Sequence, residues 1–509
     1  MKINRIQNTK RNVFWGMIEK IITLLLPFVL RTVMIRVLGK EVLGLNTLFT
    51  SILQVLNMAE LGFSGAVVYN MYKPIAENDS KTICALMALY RKVYYVIGCV
   101  VVTVGLALLP FLPKLINGEV PQGYNIYILY IIHLLNTGVS YFLFAYKNCL
   151  LNAYQRNDVI SKVSTLTHFI QYAYQFFVLI FLKDYYLYLA ILPAISILNN
   201  IINALIVSKM YPNYKPKGVL SKEQRDLIKQ NVTGLMVGKI CIVSRNSFDS
   251  IFLSAFINLS VVTMYGNYYY ILTALNTFLA VVMNSMLSGI GNSIVAETKE
   301  KNYHDFRLFN FMFMWIYGWC TVCLVCLYQP FMKVWMGEDL MFPFFTVILF
   351  CIYFYSLKLS DIRSVYSTAA GLFWQNRKYV IAEVIANVIL NFAFVKIWGV
   401  NGIIVATNIS IIFINFVWGT KVLFNNYFTE MSFFKFILEQ LLYALITAFN
   451  CVITYLICNL FCLNGLLDFA VKGCICLIVS NLFYWIVYRK TIIFADSKRF
   501  ALRIIKKHN

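Results

Sequence analysis

The amino-acid sequence predicts an all-α polytopic membrane protein. About fourteen transmembrane helices form two pseudo-symmetric six-helix bundles plus two C-terminal helices around a central cavity. Three observations predict this. Of the 509 residues, 60% are hydrophobic and only 13% charged, outside the range of soluble globular chains. Apolar runs of about 20 residues or more recur from end to end, and no polar stretch is long enough to fold as a water-soluble domain. The chain also resembles itself at an offset of about 220 residues, AYQRNDVI (153–160) with FWQNRKYVI (373–381) and KPIAEND (73–79) with SIVAETKE (293–300).

The elements follow in order. Residues 1–208 hold six spans, centred near 13–37, 42–70, 89–112, 125–150, 158–182 and 186–208. The first run is too long for a cleavable signal, carries Glu19, Lys20 and Pro27, and lacks a small-x-small site, so the N-terminus is expected to stay in the cytoplasm. Residues 209–230 read as a cytoplasmic amphipathic linker. Within it Ser221 and Gln224 make a capping-box pattern ahead of Leu227 and Ile228, which predicts a short helix on the inner membrane surface; a solvated basic loop is the alternative for its first part. Residues 231–424 form the second six-helix bundle, with spans near 231–256, 261–292, 308–328, 342–369, 379–396 and 400–423. Six being even, the two bundles run in the same direction through the membrane. Residues 425–509 add two spans, near 434–459 and 464–488, and a basic cytoplasmic tail.

The formal net charge of +22 raises the possibility of nucleic acid, and its distribution removes it. Roughly thirty Lys and Arg fall at cytoplasmic ends and loops against about five outside, the bias expected of a multi-pass membrane protein with both termini inside. The basic tails also suit an anionic inner leaflet. Outer loops, the longest near 112–125 and 329–342, are too short to carry the catalytic groups of a membrane glycan polymerase or ligase, so the chain reads as a non-enzyme. The thirteen cysteines lie almost entirely within spans. Cys320, Cys323 and Cys326 in WCTVCLVC share one helix face, but no His or carboxylate joins them. They read as packing residues, and neither a metal nor a cofactor is expected. His133 and His168 likewise read as hydrogen-bonded membrane histidines.

Charges within spans carry the functional reading, because each costs about 2.5–3.5 kcal/mol on insertion scales. They cluster on three helices: Glu19, Lys20, Arg31 and Arg36 on the first span, Lys239, Arg245 and Asp249 on the seventh, Lys358, Asp361 and Arg363 on the tenth. Single charges occur elsewhere, as at Glu60, Lys147, Glu383, Glu439, Asp468 and Lys472. Pseudo-symmetry sets the first and seventh spans opposite each other, Arg31 against Asp249, and Pro27 permits a kink about a turn before Arg31. Basic groups outnumber acidic ones in the clusters, which predicts a water-filled cationic cavity. Arginine's planar fork suits phosphate oxygens there. The expected anion contacts are Arg31, Arg36, Lys239, Arg245, Lys358 and Arg363, with Asp249, Asp361 and Glu19 as charge partners or ion-coupling groups. For Arg36 the alternative is snorkelling to the outer interface.

The opening NTKRN (8–12), the segment R-x-L-G-x-E-x-L-G-L (36–45), A-E-L-G (59–62) and NSFDSIFLSAF (246–256), with the six plus six plus two arrangement, resemble the polysaccharide transporter family. These are the Wzx-type lipid-linked oligosaccharide flippases of the multidrug/oligosaccharidyl-lipid/polysaccharide exporter superfamily, and the resemblance covers essentially the whole chain. It implies a bacterial inner-membrane protein that moves an undecaprenyl-pyrophosphate-linked repeat unit from the cytoplasmic to the outer leaflet for O-antigen (lipopolysaccharide), capsule or exopolysaccharide assembly. Membrane lipids and a polysaccharide polymerase and chain-length complex are the implied partners. Relatives that flip the peptidoglycan lipid precursor place basic residues in the corresponding first helix, where Arg31 and Arg36 match by position. Drug-exporting relatives use cavity carboxylates instead. The alternatives are therefore a cation-coupled multidrug exporter, a membrane glycosyltransferase or ligase, and a non-transporting scaffold of an assembly complex.

Overall fold

The structure is a computed structural model that describes the backbone of residues 5–60, 63–118, 120–461 and 465–508 and most of their side chains. All regular elements among these residues are helical. The chain divides into two compact units, Met1–Gly266 and Asn267–Asn509.

The first unit contains α1 (Arg5–Leu38), α2 (Lys40–Leu56), α3 (Phe63–Ala76), α4 (Ser80–Ala107), α5 (Ile126–Phe142), α6 (Asn148–Ala153), α7 (Asn157–Phe177), α8 (Tyr185–Met210), α9 (Lys222–Phe256) and the first turns of α10 (Leu259–Ala296). α1 runs unbroken through Pro27. It packs on α7, α5 packs on α4 and α8, and α9 packs on α2 and α3. The capping box is present: Ser221 Oγ accepts from the Gln224 amide and the Gln224 side chain accepts from the Ser221 amide, both at 3.2 Å. It opens no short surface helix, because α9 continues from it for 35 residues. Linker helix and following span are one rod. AYQRNDVI forms the turn from α6 into α7, pinned by Asn12 of α1, which donates to the Gln155 carbonyl (3.0 Å) and accepts from the Asp158 amide (2.7 Å).

The second unit holds the rest of α10, then α11 (Lys299–Met336), α12 (Phe344–Lys358), α13 (Asp361–Ala369), α14 (Phe373–Ile409), α15 (Gly419–Asn426), α16 (Phe433–Asn459), α17 (Gly465–Tyr488) and α18 (Ile492–His508). α16 shows how lipid inverts the usual pattern. Leu438, Leu441, Leu445, Phe449, Val452 and Leu456 are exposed along one face, while Gln440, Thr447, Asn450 and Thr454 are buried on the other. Asn450 donates to Ser480 Oγ at 3.0 Å and the Tyr484 hydroxyl to Thr447 at 3.0 Å. Between helices surrounded by hydrocarbon, such bonds supply what hydrophobic burial supplies in water.

Ten helices among the described residues are long and apolar enough to cross a membrane, eleven if the bent pair Ile126–Phe142 and Ala145–Ala153 is one span. Length and composition thus support ten to eleven spans and do not count out fourteen. α2 has only 17 residues. The 54-residue run Phe373–Asn426 is more than one crossing: at 1.5 Å per residue it would reach about 80 Å, against a hydrocarbon core of about 30 Å. It breaks at Gly399 (φ 58°, ψ −128°), a backbone conformation open to glycine.

Candidate functional site

In the first unit, α1, α9 and α10 bring the expected charges together. α9 presents Arg245 and Asp249 one turn apart, both buried. Asp249 accepts a 2.7 Å hydrogen bond from the Tyr265 hydroxyl of α10. The next residue of α10, Gly266, meets Arg31: a Cβ built there would lie 2.6 Å from the guanidinium Nη2 and 3.7 Å from Thr47 Cγ2. The missing side chain of Gly266 lets the α1 guanidinium come this close to α10; a larger residue would make it shift. The opposed pair expected from sequence, Arg31 and Asp249, thus meets consecutive residues of α10. Arg31 is half-buried.

The other expected residues of this unit stand differently. Arg36 is exposed in the last turn of α1, where a cation complements the helix dipole. Glu19 is half-buried on α1, twelve residues before Arg31. The Lys239 side chain lies outside the described residues.

The second unit carries its own cluster. Lys358 ends α12 and Asp361 begins α13; the ammonium donates to Asp361 Oδ2 at 2.9 Å, and the Tyr317 hydroxyl of α11 donates to the same oxygen at 2.9 Å. The Lys358 Nζ also sits 5.4 Å from the Tyr317 ring centroid. Arg363, 1% exposed, donates from Nη1 to the Tyr379 hydroxyl (2.8 Å) and from Nη2 to Asn415 Oδ1 (2.9 Å). Asn415 in turn donates to Glu383 Oε2 at 2.6 Å. This chain of bonds ties α13 to α14 and to the 410–418 segment that follows it.

Comparison with known proteins places these clusters in context. Residues 9–287, more than half of the chain, match the family described as polysaccharide biosynthesis protein. The chain belongs to that family. Among solved structures it is similar to the lipid II flippase MurJ in an inward closed conformation, at TM-score 0.65 and 15% identity over 96% of this chain and 100% of that one. It is also similar to an inward-facing multidrug resistance MATE family transporter of the MOP superfamily, at TM-score 0.60 and 13% identity over 77% and 93%. A third is the Vibrio cholerae MATE transporter VcmN in the bent form, at TM-score 0.52 and 12% identity over 86% and 98%. No curated protein matches the sequence. The fold of this polysaccharide biosynthesis protein is that of MOP-superfamily transporters, and it is a multi-pass membrane protein.

The family segment R-x-L-G-x-E-x-L-G-L turns out to be a packing seam. Glu41 accepts from the Ser260 hydroxyl at 2.7 Å and the Lys40 carbonyl from the Thr263 hydroxyl at 2.6 Å. A Cβ on Gly44 would stand 2.1 Å from the Leu259 carbonyl oxygen. The start of α2 and the start of α10 are thereby held by side-chain hydroxyl bonds, and Gly44 lets their backbones approach closely. A second grouping was not visible in sequence. Glu60, of the A-E-L-G segment, accepts from the hydroxyls of Tyr94 and of Tyr141 (2.9 Å), and Tyr90 donates to Tyr94 at 2.7 Å. The one signal for it was a solitary carboxylate in an apolar region with tyrosines four residues apart on α4.

Outside the spans, two helix-end carboxylates have clear electrostatics. Asp79 caps α4, accepting from the Thr82 amide at 3.1 Å, and its bonds to the Thr82 hydroxyl and amide hold its carboxyl below the usual range. Glu338 is held low by the Lys333 ammonium at 2.6 Å.

Proposed function

We propose that this protein is a flippase for an undecaprenyl-pyrophosphate-linked oligosaccharide repeat unit. It moves the unit from the cytoplasmic to the outer leaflet of the bacterial inner membrane by alternating access, for O-antigen, capsule or exopolysaccharide biosynthesis. The observation that carries the reading is the half-buried Arg31 guanidinium, seated on a glycine inside an apolar helix, in a chain of the polysaccharide biosynthesis family. A pyrophosphate crossing hydrocarbon uncompensated costs on the order of tens of kcal/mol. Arginine donors replace its lost hydration, and the buried Arg245 supplies a second cation one turn from Asp249.

In this reading two six-helix halves and two C-terminal helices surround a water-filled cationic cavity, with both termini cytoplasmic. Arg31, Arg36, Lys239 and Arg245 are the anion contacts, while Lys358 and Arg363, bonded to Asp361 and to Tyr379 and Asn415, hold helices of the second unit together. Asp249, Asp361 and Glu19 orient those cations or couple transport to an ion. No residue is catalytic: the substrate crosses without a covalent bond being made or broken. A polymerase and chain-length complex takes up the delivered unit.

Reconstitution in liposomes with defined polyprenyl-pyrophosphate glycans, scoring leaflet exchange with and without ion gradients, tests the reading. Normally inserted Arg31→Ala and Arg245→Ala proteins are expected to flip substrate at least tenfold more slowly. Wild-type rates in both would rule the proposed site out. The second reading, cation-coupled multidrug export, draws support from the buried Asp249 with its Tyr265 bond. It requires drug efflux that Asp249→Asn abolishes.

A further inference from the structure

The stripe WCTVCLVC sets three cysteines on one helix face, and only the last of them joins a group of thiols close enough to share a ligand, Cys323 packing beside it. Cys326 of α11 meets Cys458 of α16 and Cys476 of α17, and the three Sγ atoms lie within 4.8 Å of one another. Cys320 and Cys323 are not part of the group. All three clustered thiols are free and buried. Each comes from a different helix, and each of the three helices packs on the other two. The thiols therefore sit where the second unit's C-terminal helix pair joins α11, with Val322 completing the buried cluster.

We propose that Cys326, Cys458 and Cys476 form a trigonal site for a soft monovalent metal ion, with cuprous ion as the ligand. Thiolate sulfur is the donor that selects such an ion over the hard cations that prefer oxygen. A three-coordinate centre with metal–sulfur bonds of about 2.3 Å needs sulfurs about 4.0 Å apart, so closing on the ion takes less than about 1 Å of movement. Structural zinc asks for four ligands. No His, Asp or Glu atom joins the three sulfurs among the described residues. The donor set thus fits trigonal cuprous coordination better than tetrahedral zinc.

The proton count follows from the donors. One cuprous ion held by two thiolates and one thiol releases two protons and leaves the site with a single negative charge. Lys472, one turn before Cys476 on α17, is already matched by Asp468 at 2.8 Å. The ion would pin three helices that otherwise meet through side-chain packing and a few hydrogen bonds, and it stabilises the folded chain by mass action.

The test uses full-length protein in lipid nanodiscs under anaerobic conditions, titrated with Cu(I) against a coloured cuprous chelator. The expected result is one tightly held equivalent, release of two protons, a raised melting temperature, and X-ray absorption showing three sulfur neighbours and no nitrogen or oxygen. Cys458→Ser and Cys476→Ala, each compared with its own metal-free melting curve, are expected to lose that equivalent and the thermal shift. Cys320→Ser and Cys323→Ser keep both. Retention of the equivalent in Cys458→Ser and Cys476→Ala, absence of any tight equivalent in the wild type, or a four-coordinate site containing nitrogen or oxygen would overturn the proposal.

Discussion

Arg31 in the first unit and Arg363 in the second are the same side chain within candidate membrane spans, Arg31 late in the long α1 and Arg363 in the first turn of the short α13, and their surroundings differ. Arg363 is enclosed, with Tyr379 and Asn415 as acceptors and Glu383 one bond further on. Lys358, five residues earlier, is matched by Asp361 within hydrogen-bonding distance. Arg31 keeps part of its surface open and is admitted to its position by the missing side chain of Gly266. A fully enclosed cation holds helices together. A cation with an open face can also meet a ligand. Charge in a membrane span is thus not one signal: in the second unit Lys358 and Arg363 are matched within the protein, whereas in the first unit Arg31 keeps an exposed part.

The sharpest way to break this comparison is to truncate both arginines. Arg363→Ala leaves Tyr379 and Asn415 without their donor and opens a cavity, for an expected loss of about 3–5 kcal/mol, read as a lower melting temperature and less folded protein after extraction. The folded fraction should still flip substrate within twofold of wild type. Arg31→Ala should do the opposite, lowering flipping at least tenfold while the melting temperature stays close to wild type. The converse pattern would mean that Arg363 meets the substrate and Arg31 is structural.

A smaller effect separates the partners inside the second cluster. Lys358→Met leaves Asp361 with the Tyr317 hydroxyl alone, at an expected cost of about 1–3 kcal/mol. Lys358→Met with Asp361→Asn should recover much of that loss, because no uncompensated charge remains. A double variant no better than the single one would show that the two groups do not act as a pair. In the first unit, Gly266→Val drives methyl groups into the Arg31 guanidinium, with an overpacking cost of about 1–3 kcal/mol and slowed transport. Combining it with Arg31→Ala should restore stability and leave transport impaired.

The sequence made some of this legible and concealed the rest for a physical reason. Hydropathy exposed the membrane class, the long helices and the charges that interrupt them, and the capping box at Ser221 was readable because it is local. The faces were not readable. In a soluble helix the apolar stripe marks the buried side, whereas α16 is apolar toward lipid and buries Gln440, Thr447 and Asn450. Contacts such as Gly266 with Arg31, Glu60 with Tyr141, or Cys326 with Cys458 and Cys476 join residues far apart in sequence and follow no period. Arg363 and Arg31 therefore looked alike in the sequence. Likewise, Cys320, Cys323 and Cys326 read as packing residues in the sequence, because the partners of Cys326 lie on α16 and α17.

The smallest expected effect is a control that should find the two units alike. Asp79 and Glu338 are helix-end carboxylates, one in each unit, both held below their ordinary values of 3.8 and 4.5. A carboxyl whose folded-state value is lowered adds stability above its unfolded value and loses it as pH falls through the folded one. Melting temperature should accordingly be insensitive to either group between pH 7 and about 5, where both are ionised folded and unfolded, and should fall below about pH 4. Salt then separates them. Glu338 acts through its hydrogen bond and charge pairing with the exposed Lys333, and about 1 M salt, with a screening length of about 3 Å, should weaken its acid-dependent part. Asp79 acts through hydrogen bonds to Thr82, so the difference between wild type and Asp79→Asn below pH 4 should persist in salt. If that difference weakened in salt as well, the Asp79 effect would be long-range charge and not a cap, and the helix-end carboxylates of the two units would be equivalent.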